Sequence, residues 1–218
     1  MARPRTVSDA DILSATARVV AREGPLRFTL ADVAREVGLT APALLKRFES
    51  KRALLLAMSR ASRAEVAAHF AREPGEPALE ALHRGLAAHA EGLATPRALA
   101  NGLAFLAIDV TDAEFREVAV GFFDSFRAST ERLLLDAVAE GELAREADAA
   151  ALAGRLEVAF NGSLITWGIR QEGSAQEALA AEVEALLAPF RTRRTGRAAP
   201  IRPAPRRGRG GGQASRGT

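Results

Sequence analysis

The sequence predicts an all-α protein, and three observations carry the prediction. Ala, Leu, Arg and Glu, all good helix formers, dominate the chain. Apolar residues recur at helical spacing along most of its length. Strand signals are scarce: Tyr is absent, and β-branched residues rarely alternate with polar ones. About nine helices can be read from these patterns.

The first helix starts at Ser8, an N-cap with Asp11 in the capping-box position, and ends near Gly24 and Pro25. The second starts at Thr29, with Asp32 three residues on. It buries Val33, Ala34 and Val37, and Gly38 supplies its left-handed C-terminal residue. The third runs from Thr40 to Phe48, with Pro42 in the first turn. The fourth is capped by Ser50 and extends towards Arg72, before Pro74, Gly75 and Pro77 break the chain. Later helices are expected over 77–93, 96–108, 112–140, 148–170 and 175–189. Pro96 marks a start, Gly141 a separation, and Ser174 with Glu177 another capping box.

Charge divides the chain into three. Residues 1–60 carry 11 Lys and Arg against 6 Asp and Glu, residues 61–190 carry 10 against 21, and residues 191–218 carry 9 against none. Only the positive head suits a polyanion. The chain has no cysteine, which excludes a disulfide scaffold, a thiol nucleophile and thiolate-bound zinc. No run approaches the ~18 apolar residues of a membrane helix, and Met1 to Asp11 shows no signal-peptide pattern, so no membrane partner and a cytoplasmic location are expected. His69, His83 and His89 lack metal-ligand spacing and read as solvated helix positions. Ser163 lacks the glycine pattern of a nucleophile elbow, and no phosphate-binding fingerprint occurs, so neither an enzyme nor a cofactor or metal is expected. The last 28 residues hold nine Arg, six Gly and three Pro and are expected to be disordered. The expected domains are 1–55, 56–190 and the tail 191–218.

Residues 29–48, TLADVAREVGLTAPALLKRF, form two short helices joined by a tight turn at Gly38 and Leu39, the layout of a helix-turn-helix. Val33, Ala34 and Val37 should face Leu44 and Phe48, with Leu39 plugging the corner. Ala41, Pro42, Ala43, Leu45, Lys46 and Arg47 are left facing outward. The wider pattern over residues 12–56 includes REG at 22–24, FTLADVA at 28–34, VGLT at 37–40, RF at 47–48 and SKRALL at 50–55. It resembles the DNA-binding domain of the TetR/AcrR family of transcriptional regulators. Beyond it the chain resembles that family in helix layout, plus the fragment EGEL at 140–143 ahead of a helix containing Asn161, Gly162 and Trp167.

The resemblance implies that Thr29 and Thr40 cap helices aimed at phosphates. It implies that Lys51 makes a phosphate contact and that Lys46 and Arg47 meet backbone or base edges. Leu45 departs from the family, which usually places Tyr, another aromatic residue or His there. Either a phosphate hydrogen bond is lost or Leu45 meets a thymine methyl. Ala41, Pro42 and Ala43 offer no bidentate hydrogen bonds. The resemblance further implies a repressor released from a palindromic DNA operator by a small hydrophobic effector, and a homodimer through the last two helices. Phe105, Phe122, Phe126 and Trp167 are candidate pocket walls, and Asn101, Asp109 and Asn161 candidate polar anchors. The apolar stripes Leu152, Leu156, Ala159, Phe160, Leu164 and Leu179, Val183, Leu186, Leu187 are the expected dimer surface. The alternatives are an activator or low-specificity DNA binder, and an all-helical enzyme or binding protein acting on a hydrophobic small molecule.

Overall fold

The computed structural model describes residues 7–192 and shows nine α-helices, with no strand, among them. These are α1 (Asp9–Glu23), α2 (Leu30–Val37), α3 (Ala41–Phe48), α4 (Lys51–His69), α5 (Ala78–Ala90), α6 (Pro96–Thr111), α7 (Ala113–Ala139), α8 (Ala149–Arg170) and α9 (Ala175–Leu187). Short 3-10 turns, Glu91–Leu93 and Ala188–Phe190, extend α5 and α9. No helix among the described residues is long and apolar enough to cross a membrane, and no group of three or more His, Asp or Glu could hold a metal ion.

The capping residues act as the sequence suggests. Ser8, Thr29 and Ser174 close capping boxes with Asp11, Asp32 and Glu177. Thr40 and Ser50 accept from the backbone N–H of Ala43 (3.3 Å) and Ala53 (3.0 Å). Each such cap is worth about 1 kcal/mol. Gly38 takes the left-handed conformation at φ 70°, and Leu39 N–H donates to Ala34 O at 2.8 Å, closing the tight turn. Helix ends differ by a few residues from the expected ones. α4 stops at His69, and Arg72 leaves the helical path to meet Glu140 (2.7 Å) and Asp136 (3.3 Å) on α7.

Two apolar clusters form. The first joins α1–α4, with Ile12, Val19, Phe28, Val33, Leu44 and Leu54 at its centre, and takes in Phe115 and Val118 from α7. The second joins α5–α9 around Phe70, Leu82, Leu133, Leu156 and Leu179. The boundary expected at 55/56 falls inside α4, a single helix that feeds both clusters. Leu56 and Met58 belong to the first and Val66 to the second.

Three further expectations are corrected. Leu152, Leu156, Phe160 and Leu164 on α8, and Leu179, Val183 and Leu187 on α9, are buried within their own chain, because the two helices pack on each other and on α5 and α7. They are therefore not available to a second subunit. The exposed apolar residues of α8 lie on its other face: Val158 (72% exposed), Ile165 (37%) and Ile169 (77%). The expected tail also begins too early. Thr192 N–H donates to Glu142 O (3.1 Å) and Ala144 N–H to Phe190 O (2.7 Å), which fixes Arg191 and Thr192 against the α7–α8 connection. The disorder expected further on concerns residues 193–218, which lie outside the described residues.

The third correction concerns the histidines. His89 is not solvated. Its ring packs on Phe122, Phe126 and Phe160 at centroid distances of 5.1, 5.6 and 5.2 Å, with His69 at 5.8 Å. His83 lies within hydrogen-bond distance of Leu79 O, at 2.6 Å. Burial, followed by the nearby His69, pushes His89 down from 6.5 to about 4. The unfolded chain then binds a proton between those two values that the folded chain does not. The stabilisation from neutral His89 is complete above pH 6.5 and is lost as the pH falls towards 4. The loss amounts to about 3 kcal/mol. Thermal melts of the parent and of His89→Leu across pH 7.5 to 4 should show the parent losing more stability than the variant, and parallel profiles would refute this origin.

Candidate nucleic-acid interface and interior cavity

The head presents α3 on its surface. Pro42, Leu45, Lys46 and Arg47 are exposed, Ala41 and Ala43 are half-buried, and Leu44 anchors the helix in the core. The N-caps Thr29 and Thr40 are exposed as well. Lys46 makes no hydrogen bond or ion pair with another described residue. Its neighbours do. Arg47 reaches across to α1, pairing with Asp9 (2.5 Å) and donating to Val7 O (2.8 Å). Lys51 donates to Leu26 O at 3.0 Å and sits 4.3 Å above the Phe28 ring, and its partial burial lowers its pKa. Arg47, expected at backbone or base edges, and Lys51, expected at a phosphate, thus also make contacts within the head.

α1 holds the other two helices of the motif. Arg18 pairs with Glu36 on α2 at 2.7 Å, and Arg22 reaches the same carboxylate at 3.4 Å. The Arg47 contacts tie α3 to the start of α1. Surface ion pairs thus link α1 to both α2 and α3.

Below the head lies a cavity of about 440 Å³, within the usual range for small-molecule sites. It is bounded by α1, α4, α6, α7 and α8, with His89 of α5 at one side. Its aromatic walls are Phe105, Phe122, Phe123, Phe126 and Phe160. The expected residues Asn101, Phe105, Asp109, Phe122, Phe126 and Asn161 all line it. Trp167 does not: it is buried at the end of α8, where its indole N–H donates to Gly173 O at 3.2 Å and secures the turn into α9. Phe126 serves two purposes, since it also packs edge-on against Phe70 of the body core at 5.4 Å.

Sequence reasoning missed Phe123, Phe160, His89 and the α1 residues Val20 and Ala21. Phe160 shares a helix face with Leu164, Asn161 and Glu157, so its direction was legible, but the neighbour it faced was not. His83 and His89, six residues apart, do lie on different faces, yet spacing alone does not tell which one is buried.

The polar residues of the lining have different partners. Asn101 donates its side-chain N–H to Ala21 O on α1 at 2.8 Å. Next to it Gly24 ends α1 at φ 87°, where a Cβ would come within 2.7 Å of Asn101 Oδ1. Asn161 donates to Glu157 O at 2.8 Å within its own helix, and Glu157 pairs with Arg127 at 3.1 Å. Asp109 has no hydrogen bond or ion pair to another described residue, and burial raises its pKa from 3.8 to about 6. Further ties join head and body. Arg52 of α4 pairs with Asp112 (2.9 Å) and Glu114 (2.7 Å) at the start of α7, and Arg97 of α6 pairs with Glu23 (3.3 Å).

Residues 12–58 match the profile of bacterial regulatory proteins of the tetR family. No curated protein matches the chain. Solved structures do. A TetR-family transcriptional regulator from Rhodococcus sp. is 23% identical, with a TM-score of 0.62 over 82% of this chain and 95% of its own. A protein described under the molecular basis for control of antibiotic production by bacterial hormones is 25% identical, with a TM-score of 0.68 over 84% of this chain and 97% of its own. SmeT, described as the repressor of a Stenotrophomonas maltophilia multidrug efflux pump, is 18% identical, with a TM-score of 0.62 over 86% of this chain and 92% of its own. The profile covers the helix-turn-helix, and the structural likeness extends through the helical body. The segment 12–58 is thus similar to bacterial regulatory proteins of the tetR family, and the chain shares its fold with TetR-family structures.

Proposed function

We propose that the chain is a dimeric repressor that binds a palindromic operator and is released by a small hydrophobic effector held in the interior cavity. The observation that carries this reading is the shared wall. Val20 and Ala21 of α1 line the cavity, and Asn101 of α6 hydrogen-bonds to α1 from within it. An effector that displaces α6 acts on α1, and α1 grips α2 and α3. Two recognition helices must sit about 34–36 Å apart to enter successive major grooves. A small rotation of each head removes that match. The effector shifts the balance only by its differential affinity for the two states, typically ~1–3 kcal/mol. SmeT, a repressor with the same fold, is in keeping with this reading.

Thr29 and Thr40 then place helix N-termini at phosphates, and Ala41, Pro42, Ala43 and Leu45 meet the groove by shape and apolar contact. Lys46 supplies a phosphate contact. Arg47 and Lys51 fix the geometry of the head and contribute field there. The protein works where the DNA is, in the cytoplasm. The two-fold contact uses the exposed face of α8, with Val158, Ile165 and Ile169 around Gly162. A Cβ at Gly162 would meet nothing within 4 Å, so a second backbone can approach.

Four variants test these statements. Lys46→Ala should weaken binding to operator and random duplexes alike and reduce the slope of log affinity against log salt by about one. Lys51→Ala should instead lower the melting temperature; if it lowers the slope at unchanged stability, Lys51 is the phosphate contact. By light scattering, the parent should be a dimer at micromolar concentration and Val158→Glu a monomer, and a monomeric parent would refute the assembly. Asn101→Ala, compared with the parent at saturating effector, should weaken the effect of effector on DNA affinity. Undiminished coupling in that variant would remove Asn101 from the path.

A further inference from the structure

The cavity has a charge that its walls do not balance. Asp109 lines the cavity, half-buried, and its side chain makes no hydrogen bond or ion pair to another described residue. No Lys or Arg lines the cavity. The other titratable groups on its walls are accounted for. Glu157 of α8 is paired with Arg127, and His89 of α5 is held neutral by its aromatic surroundings. Asp109 also sits in the last turn of α6, two residues from its end at Thr111. That is where a helix favours positive charge and disfavours a carboxylate. Neither helix propensity nor a structural partner explains an aspartate there. Burying an uncompensated carboxylate is unfavourable, and the raised pKa of Asp109 reflects that cost.

An occupant that relieves this cost carries a positive charge. A divalent metal needs several oxygen ligands, and only one carboxylate is free here. An anion or a sugar phosphate would be repelled. The phenyl faces of Phe105, Phe122, Phe123, Phe126 and Phe160 suit a bulky organic cation, since aromatic faces attract positive charge and apolar groups alike. We propose that the cavity selects a lipophilic, preferably aromatic, monocation, with the Asp109 carboxylate as its counter-ion and the phenylalanine rings as its walls. This rests on the reading of the cavity as an effector site and specifies the class of effector.

Isothermal titration calorimetry on the full chain at pH 7.5 tests the proposal with three phenyl-bearing probes of different charge. These are tetraphenylphosphonium, tetraphenylborate and neutral triphenylphosphine oxide. The parent should bind the phosphonium about tenfold or more tightly than the oxide, and the borate least. Asp109→Asn, nearly isosteric, should lose most of the phosphonium preference and change its affinity for the oxide less than about twofold. Equal affinity of the parent for phosphonium and oxide would overturn the cation preference and leave the effector cavity standing. A preference that survives in Asp109→Asn would overturn the role of Asp109. If none of the three probes binds at millimolar concentration, the cavity reading falls together with this one. The comparison of probes on the parent needs no variant, so the proposal does not depend on how Asp109→Asn folds.

Discussion

The contact between α6 and the end of α1 governs how the rest of the molecule can work. The Asn101 amide reaches Ala21 O at 2.8 Å, and Gly24 makes the approach possible because any Cβ there would collide with Asn101 Oδ1. This closes the top of the cavity with part of the head itself. A residue of the binding region and a residue of the DNA-binding domain thus meet through one hydrogen bond. The head also contributes Ala17, Val20 and Met58 to the cavity wall.

The head is held more by packing and capping than by its surface charges. Ile12, Val19, Val33, Leu44 and Leu54 are fully buried, and each fully buried side chain of this kind contributes about 1.5–3 kcal/mol. The exposed pairs, such as Arg18 with Glu36, contribute little individually, typically ~0–1 kcal/mol. They link α1 to α2 and α3 at the surface. Phe115 adds a further constraint by entering the head core from α7 while Arg52 covers its ring at 5.3 Å. The start of the long body helix is therefore fixed in the domain that it supports.

The cavity shares its walls with the hydrophobic core. Phe126 and Phe160 touch both, and His89 stacks on them as a neutral ring. Such walls resist collapse, because moving one ring would open a void against Phe70 or Leu164. The same walls carry one carboxylate, Asp109, whose pKa burial raises. The α6 side of the cavity, by contrast, faces the head and is tied to it by Asn101 and Arg97. A ligand held by the rings would therefore act on the side that the two hydrogen-bonding residues control.

Much of this was legible in the sequence. Helix starts are local: Ser8 with Asp11, Thr29 with Asp32 and Ser174 with Glu177 satisfy N–H groups within three residues, so no distant partner is needed to find them. Gly38 marks its turn for the same reason, since only its own backbone requires the left-handed conformation. The helix-turn-helix follows from these signals and from the spacing of Val33, Ala34 and Leu44. Other features depend on what lies opposite. The stripe from Leu152 to Leu164 is apolar whether it meets another subunit or the same chain, and only the packing of α8 between α7 and α9 decides that it faces inward. His89 becomes neutral because three phenylalanines from two other helices surround it. Arg47 and Lys51 are cations that suit phosphates equally well until the fold brings Asp9, Val7 and Leu26 within reach. The sequence by itself determined which segments are helical and where they begin, because capping and periodicity are short-range. Tertiary structure alone decided which faces are buried, which charges are paired and where a cavity remains, because burial and pairing are properties of surfaces that meet only after folding.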